Sequence, residues 1–287
     1  MKLLRPRTVA EAVAAIAASE RPILYAGGIE VLMALRSGAI AGDTLIDTKR
    51  IDGAVGVCHA DALIRIGPAT RHHAVAGDPL IRAHLPLLAA ACAQLGTTRI
   101  RMQGTLGGNF ANGHQHTDPG TAAMVYGGHL RLMGAAGVRE VALAEFWRGP
   151  GVVARTPDEL VESIHLRPLP EGWTVVHERV EVLHRPPTAV VSVAAHLIGD
   201  QVSSCRIAAG AVARTPMRLP VVEDVIVGCD ASCVAAAIAD CSALVADAID
   251  AESDALGSAS FKVDLVVGLI QRAMSQLLGT EIVGKRP

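Results

Sequence analysis

Aromatic residues are scarce in this chain of 287 residues: two Trp, two Tyr and three Phe. Proteins that grip single-stranded bases stack them on aromatic rings, so a base-stacking surface is disfavoured. Excess positive charge is missing as well. Twenty-six Lys and Arg stand against 28 Asp and Glu, a formal charge of -2, which removes the electrostatic footprint of a nucleic-acid coat. Long apolar runs are absent too. Mean hydropathy is +0.37, yet charged or turn residues interrupt every stretch before the ~18 to 20 residues that a bilayer span needs. The expectation is a soluble chain with no transmembrane segment and no nucleic-acid partner. The N-terminal MKLLRPRTVAEAV lacks the apolar region and cleavage site of a secretion signal. The six cysteines, Cys58, Cys92, Cys205, Cys229, Cys233 and Cys241, are therefore expected as reduced thiols in a cytoplasm. The spacing of Cys229, Cys233 and Cys241 matches neither a zinc ribbon nor a ferredoxin and reads as small core residues. There is also no G-x-G-x-x-G fingerprint, no Walker A loop, no internal repeat and no spacing that singles out a Ser/His/Asp nucleophile.

What is present is a globular composition, 51% apolar, long enough for two domains. Thr8 and Glu11 form a capping-box pattern that starts an Ala-rich helix ending near Ser19. A short apolar strand at Ile23 to Ala26, the pair Gly27-Gly28, a helix from Ile29 to Ser37 stopped by Gly38, and a strand at Thr44 to Asp47 make a compact βαβ unit. A strand follows at Ala62 to Ile66, and Asp78-Pro79 marks a helix start. A longer helix runs from about Leu85 to Leu95, with Leu88, Ala91, Cys92 and Leu95 on one face. The segment Arg101 to Asn109, containing Gly107-Gly108, reads as a loop, and Asp118-Pro119 as another helix start. Strands return at Gly128 to Met133 and Ser163 to Leu166. Pro168, Pro170 and Gly172 mark the domain boundary. Beyond it, Ala189 to Ile198 and Val202 to Val212 form a hairpin about Gly199-Asp200, and three helical patterns follow, ending with Val263 to Leu278.

Both glycine pairs allow backbone N–H groups to approach an anion closely, and the first also opens a helix, where free amides and the dipole favour phosphate. Each pair alone is an ordinary turn as readily as a site. Together, Ala26-Gly27-Gly28-Ile29-Glu30 and Thr105-Leu106-Gly107-Gly108-Asn109, with Asp118 downstream, resemble the two pyrophosphate loops and the later acidic residue of the FAD-binding medium subunit of molybdenum hydroxylases, the carbon monoxide dehydrogenase and xanthine dehydrogenase family. Ile66-Gly67-Pro68-Ala69-Thr70 is similar to that family's I-G-A-x-T, and Ala213 to Arg218 to its A-x-T-P-x-R.

The resemblance implies an α+β fold: a PCMH-type two-part FAD-binding domain over 1–172 (a βαβ subdomain over 1–55 and a second α/β subdomain over 56–172), then a small C-terminal domain over 173–287 of antiparallel sheet plus helices. It implies that Ala26, Gly27, Gly28, Ile29, Glu30 and Val31, with Thr105, Leu106, Gly107, Gly108 and Asn109, hold the FAD pyrophosphate. Asp118 then holds the adenosine end, serves as an N-cap, or does both. The family's aromatic-x-Lys becomes His177-Glu178-Arg179, so His177 is placed for stacking near the flavin and Arg179 for stabilising its reduced anion, with a solvated surface pair as the plainer alternative. Ile29 stands where Thr is common, and Phe261 to Leu265 replaces the family's Y-R-R-H-L. His114, His116 and Asp118 alternate so that an extended segment would present them on one face. His72-His73 is a further pair that could border the flavin. The function implied is an electron-transfer oxidoreductase subunit in the cytoplasm. Its expected partners are a large molybdenum-cofactor subunit and a small [2Fe-2S] subunit, assembled as a dimer of heterotrimers. A stand-alone FAD oxidoreductase and an FAD-less scaffold are the rival readings.

Overall fold

The computed structural model describes residues 1–181 and 186–279. The first element is β1 (Lys2–Leu4), followed by α1 (Val9–Ala17), which starts where the Thr8 hydroxyl accepts from the Glu11 amide and the Glu11 carboxylate turns back to the Thr8 amide. Next come β2 (Pro22–Tyr25), α2 (Ile29–Ser37) and β3 (Thr44–Asp47), and the three strands form a parallel sheet in the order β1-β3-β2. Gly38 ends α2 in the left-handed conformation that glycine adopts without a Cβ penalty. The sheet is the βαβ unit expected from the sequence, with β1 added.

A hairpin of β4 (Val57–Ala60) and β5 (Leu63–Ile66) leads into five short helices: α3 (His72–Gly77), α4 (Pro79–His84), α5 (Pro86–Gln94), α6 (Thr98–Gln103) and α7 (Leu106–Asn112). Asp78 caps α4 through the amides of Leu80 and Ile81, with Pro79 in the first turn. The stretch that reads as a loop from Arg101 to Asn109 is instead the end of α6 and the start of α7. Thr97 and Thr105 supply the caps, each hydroxyl accepting from an amide three residues on. After α8 (Asp118–Tyr126) the chain runs through β6 (Gly128–Gly134), β7 (Gly137–Ala142), α9 (Leu143–Phe146), β8 (Trp147–Gly149), β9 (Val152–Val153) and β10 (Leu160–Leu166). An antiparallel sheet results, ordered β4-β5-β10-β6-β7. Ile64, Ile66, Ile164, Leu166, Leu130 and Leu132 make its buried face.

The remainder holds β11 (Trp173–Glu181), β12 (Pro187–Ile198), β13 (Gln201–Gly210), β14 (Met217–Arg218), α10 (Pro220–Ile226), α11 (Val234–Ala239), α12 (Ser242–Ile249) and α13 (Ala259–Leu277). The sheet order is β11-β12-β13-β14. Ala189, Val191, Val193 and Ala195 of β12 share a core with Val263, Val266, Leu269, Ile270 and Ala273 of α13. Arg218, which ends the sequence motif at 213–218, pairs with the buried Glu223, whose Oε1 also accepts from the Ile207 amide at 2.8 Å. That motif therefore ties β14 to α10 and to β13.

Two compact units emerge: Met1–His114 with Tyr126–Pro168, and Gln115–Val125 with the chain from Leu169 onward. Thus most of α8, which lies within the first segment of the sequence, belongs to the second unit. There Thr121 of α8 sits so close to Gly210 of β13 that a Cβ at Gly210 would overlap its hydroxyl. Among the described residues no helix is long and apolar enough to cross a membrane. Cys92, Cys205 and Cys241 are buried, whereas Cys233 is exposed and Cys229 is intermediate, so the expectation of core packing for the last cluster holds only for Cys241. The reason is local: Cys229 and Cys233 lie on the polar turn around Asp230, whose carboxylate caps the amides of Ser232 and Cys233.

Candidate functional site

In the first unit, β2 runs into α2 through Gly27 and Gly28. Gly28 is left-handed at φ 78 and has no side chain to cap the helix behind it. Among the described residues, no acceptor takes the amides of Ile29, Glu30 or Val31, so the positive end of a nine-residue helix stands open. Gly27 is where the two glycine segments meet: a Cβ there would lie 2.5 Å from the Gln103 carbonyl oxygen and 2.8 Å from the Gly104 Cα. The close approach of the two backbones thus requires glycine.

The second glycine pair divides its work. Gly107 is buried, its amide donates to the Pro68 carbonyl at 2.8 Å, and a Cβ there would come within 2.7 Å of the same oxygen. The Leu106 amide donates to Thr70 at 2.9 Å, and the Thr70 hydroxyl bridges to the backbone of Gly56. The Gly67-to-Thr70 motif is therefore the seat of the second loop. Gly108 differs from Gly107. It is exposed, and a Cβ there would meet only the Thr105 hydroxyl, at 2.8 Å. The amides of Leu106, Gly107, Gly108 and Asn109 all have acceptors within the chain, at Thr70, Pro68, the Thr105 hydroxyl and the Thr105 carbonyl. The free amides accordingly lie at the first loop, and the second contributes a bare, side-chain-free surface. The pair of loops fits an anionic group of pyrophosphate type.

Lys49 is a neighbour that sequence reasoning did not single out. Its Nζ donates to the Ala26 carbonyl at 3.0 Å, pairs with Asp47 at 2.8 Å and lies 3.7 Å from the centre of the Tyr25 ring. Thr48 beside it donates to the Tyr25 carbonyl at 3.2 Å. A basic residue just after a strand carries no motif, and only the parallel pairing of β2 with β3 reveals its reach. His72 is not a border residue: it is 2% exposed, contacts Cys92 and is held down to about 4 by burial, because its position at the start of α3 faces α5. His73 is exposed.

In the second unit, β11 presents His177, Arg179 and Glu181 on one face. Arg179 forms an ion pair with Asp118 at 2.8 Å and another with Glu181. Asp118 is fully buried. Thr117, not Asp118, caps α8 by accepting from the Gly120 amide at 3.0 Å, which leaves the Asp118 carboxylate to Arg179. Burial pushes that carboxyl up to about 6; Arg179 opposes the shift without overcoming it, and Glu181 adds to it. His177 Nδ1 bonds the Ser192 hydroxyl at 2.8 Å, and its Nε2 has no partner among the described residues. Burial and the Arg179 charge bring His177 down to about 4, so at neutral pH it is uncharged. The solvated surface pair is excluded for both side chains, since His177 is 9% exposed and the Arg179 side chain 10%. His116 bonds the Pro187 carbonyl at 2.9 Å while Asp118 turns to Arg179, and His114 belongs to the first unit. Among the described residues no three metal-binding side chains gather.

The model for the "FAD binding domain in molybdopterin dehydrogenase" matches residues 1–170, and that for the "CO dehydrogenase flavoprotein C-terminal domain" matches residues 187–277. The xanthine dehydrogenase FAD-binding subunit of Escherichia coli O157:H7 is 31% identical over 218 residues, 75% of each chain. The carbon monoxide dehydrogenase medium chain of Afipia carboxidovorans is 27% identical over 278 residues, 95% of this chain and 94% of that one. Among solved structures, a chain of the reconstituted CO dehydrogenase from Oligotropha carboxidovorans superposes with a TM-score of 0.91 at 26% identity, covering 98% of both.

Proposed function

The chain belongs to the FAD-binding medium subunits of the molybdenum hydroxylases, and we propose that it receives electrons from [2Fe-2S] clusters of a small partner subunit, drawn from a substrate oxidised at the molybdenum cofactor of a large one, and delivers them to an external acceptor. Bound FAD supplies the redox chemistry, a ring system that takes up and gives up electrons. Everything else is the work of this chain's residues. The observation that carries the reading is the uncapped start of α2 beside the second glycine turn: the amides of Ile29, Glu30 and Val31 are there for the pyrophosphate, and Gly108 leaves the space. The Glu30 side chain is exposed and contributes chiefly through its amide. Thr105 holds the second turn in shape by capping α7.

Joined at 2.8 Å, Asp118 and Arg179 act at one place on the cofactor; the family resemblance assigns Arg179 to the reduced flavin, and Asp118 then acts there through Arg179 rather than at the adenosine end. Within their own unit they are an ion pair, so the charge Arg179 offers depends on whether Asp118 keeps its proton. The partners are a large molybdenum-cofactor subunit and a small [2Fe-2S] subunit, in a dimer of heterotrimers. The compartment is the cytoplasm, consistent with six free thiols. The visible spectrum of the chain purified with whatever accompanies it, followed by acid release of the flavin, tests this reading. Stoichiometric FAD with iron-sulfur absorbance and two further subunits is the expected result. A colourless, folded chain that takes up no added FAD overturns it.

A further inference from the structure

Resting on the FAD reading of the two glycine loops, we infer that Lys49 is a positioning residue of the cofactor site, acting on the peptide between Ala26 and Gly27. Three observations carry this. First, Nζ has three distinct partners, matching the three donors of an ammonium group: the Ala26 carbonyl at 3.0 Å, the Asp47 carboxylate at 2.8 Å and the face of Tyr25, 3.7 Å from its centre. With its hydrogens so engaged, Lys49 is not a spare cation waiting for phosphate; it acts through what it holds. Second, the Ala26 carbonyl belongs to the peptide unit that enters the Gly27-Gly28 turn. In a trans peptide the C=O and N–H point in opposite directions, and among the described residues no peptide bond is cis. Fixing the carbonyl toward Lys49 therefore aims the Gly27 N–H away from it and sets the plane from which the open amides of Ile29, Glu30 and Val31 follow. Third, among the described residues the only other side-chain hydrogen bond to the backbone leading into this turn is that of Thr48, to the Tyr25 carbonyl at 3.2 Å, and Gly28 provides no cap.

Asp47 completes the device. It is buried, 6% exposed, accepts from the Lys49 amide at 3.1 Å as well as from Nζ, and so fixes the rotamer that reaches Ala26. The Lys49 side chain is itself one-third exposed, so its removal opens no large cavity. Loss of the clamp frees the peptide to rotate and disorders the helix start at which an anion is to bind, while the sheet beneath, held by the β2–β3 ladder, stays in place.

The test uses the full-length chain stripped of flavin, comparing wild type with Lys49→Met, Lys49→Arg and Thr48→Val. FAD affinity is read by titration and apoprotein stability by thermal melting. Lys49→Met is expected to weaken FAD binding at least tenfold with little change in the apoprotein melting point. Lys49→Arg, which keeps a donor for Ala26, is expected to recover most of the affinity, and Thr48→Val to weaken it about threefold. The inference is overturned by FAD affinity in Lys49→Met equal to wild type, or by a loss that merely parallels a lowered apoprotein melting point and is not rescued by Lys49→Arg. Should Lys49→Met not fold, Thr48→Val decides, and wild-type affinity there overturns the clamp. A wild-type chain that binds no FAD at all sinks the reading of the glycine loops, a result distinct from any difference among the variants.

Discussion

The glycine loops of the first unit and the Asp118–Arg179 pair of the second handle charge in opposite ways. The loops use backbone alone: dipoles with no proton to gain or lose, held open by the absence of side chains at Gly27, Gly28 and Gly108. The pair uses full charges taken out of water, where one protonation changes the balance. A site made of amides is indifferent to pH and vulnerable to a methyl group. A site made of buried ionised side chains is sensitive to protons.

The largest expected effect breaks the first half of that contrast. Gly108→Val is expected to abolish FAD retention, a loss of affinity of at least ~100-fold, with only a modest fall in the melting point of the apoprotein, because the new Cβ meets the Thr105 hydroxyl alone and disturbs no more than the α7 cap. Gly107→Ala, one residue away, should do the reverse: its Cβ runs into the Pro68 backbone, so a lowered melting point precedes any loss of flavin. Flavin content and thermal melting on the two variants together decide this. Retention of FAD by a folded Gly108→Val protein would refute the backbone cradle.

Next in size is the buried pair. Asp118→Asn removes the ion-pair partner of Arg179 together with a carboxylate whose burial outweighs that attraction, so the loss at neutral pH is expected to stay below the about 3 kcal/mol of a buried pair whose Coulombic gain prevails. Urea unfolding at neutral pH should show it, and a loss well under 1 kcal/mol would mean that the pair carries little stability.

The pH dependence sharpens the comparison further. The Asp118 carboxyl is raised from 3.8 to about 6 in the folded chain, chiefly by burial. Its contribution to stability is therefore full below about 3.8 and lost as pH rises through about 6. His177 is lowered from 6.5 to about 4, again chiefly by burial, so its contribution is present above about 6.5 and lost as pH falls through about 4. The two slopes oppose one another across the same window. In Asp118→Asn, stability relative to wild type should climb between pH 4 and 6; in His177→Gln it should fall over that range. Unfolding midpoints collected from pH 4 to 7 check both, and parallel curves in all three proteins would contradict the assigned shifts.

Smaller effects concern the flavin itself. Arg179→Ala is expected to lower the midpoint potential of bound FAD, measured by spectroelectrochemistry; an unchanged potential would confine Arg179 to its ion pair with Asp118. Ile29→Thr restores a hydroxyl beside the free amides of α2 and should tighten FAD binding about fivefold, the worth of roughly one hydrogen bond.

Local signals were the ones that could be read without coordinates. The capping box at Thr8 and Glu11, the Asp78-Pro79 start and the Gly38 stop each involve residues within one helical turn, and each is found as expected. Short helices around glycine were harder: α6 and α7 depend on the caps at Thr97 and Thr105, which the Gly104 to Gly108 run obscured. Strand β11 carries no clean hydrophobic alternation, because the face it turns to the core has Glu178 between Val176 and Val180, while the other face holds His177 and Arg179. The glycine pairs were visible, but the division of labour between Gly107 and Gly108, and the reach of Lys49 to Ala26, arise from chain segments brought together by folding and leave no periodic trace.

The placement of α8 has a consequence for how this polypeptide can be made and cut. The segment from Gln115 to Val125 is synthesised well before the strands it packs on, and its seat on β13 at Gly210 is completed only after some ninety further residues have been added. The second unit therefore closes over a long span of chain and cannot finish folding during early translation. Nor can it be excised at the proline-rich junction near residue 170. A fragment starting there would lack the helix that packs against β13 at Gly210, and supplying Gln115 to Val125 as a separate peptide, or by circular permutation, is the way to restore that contact.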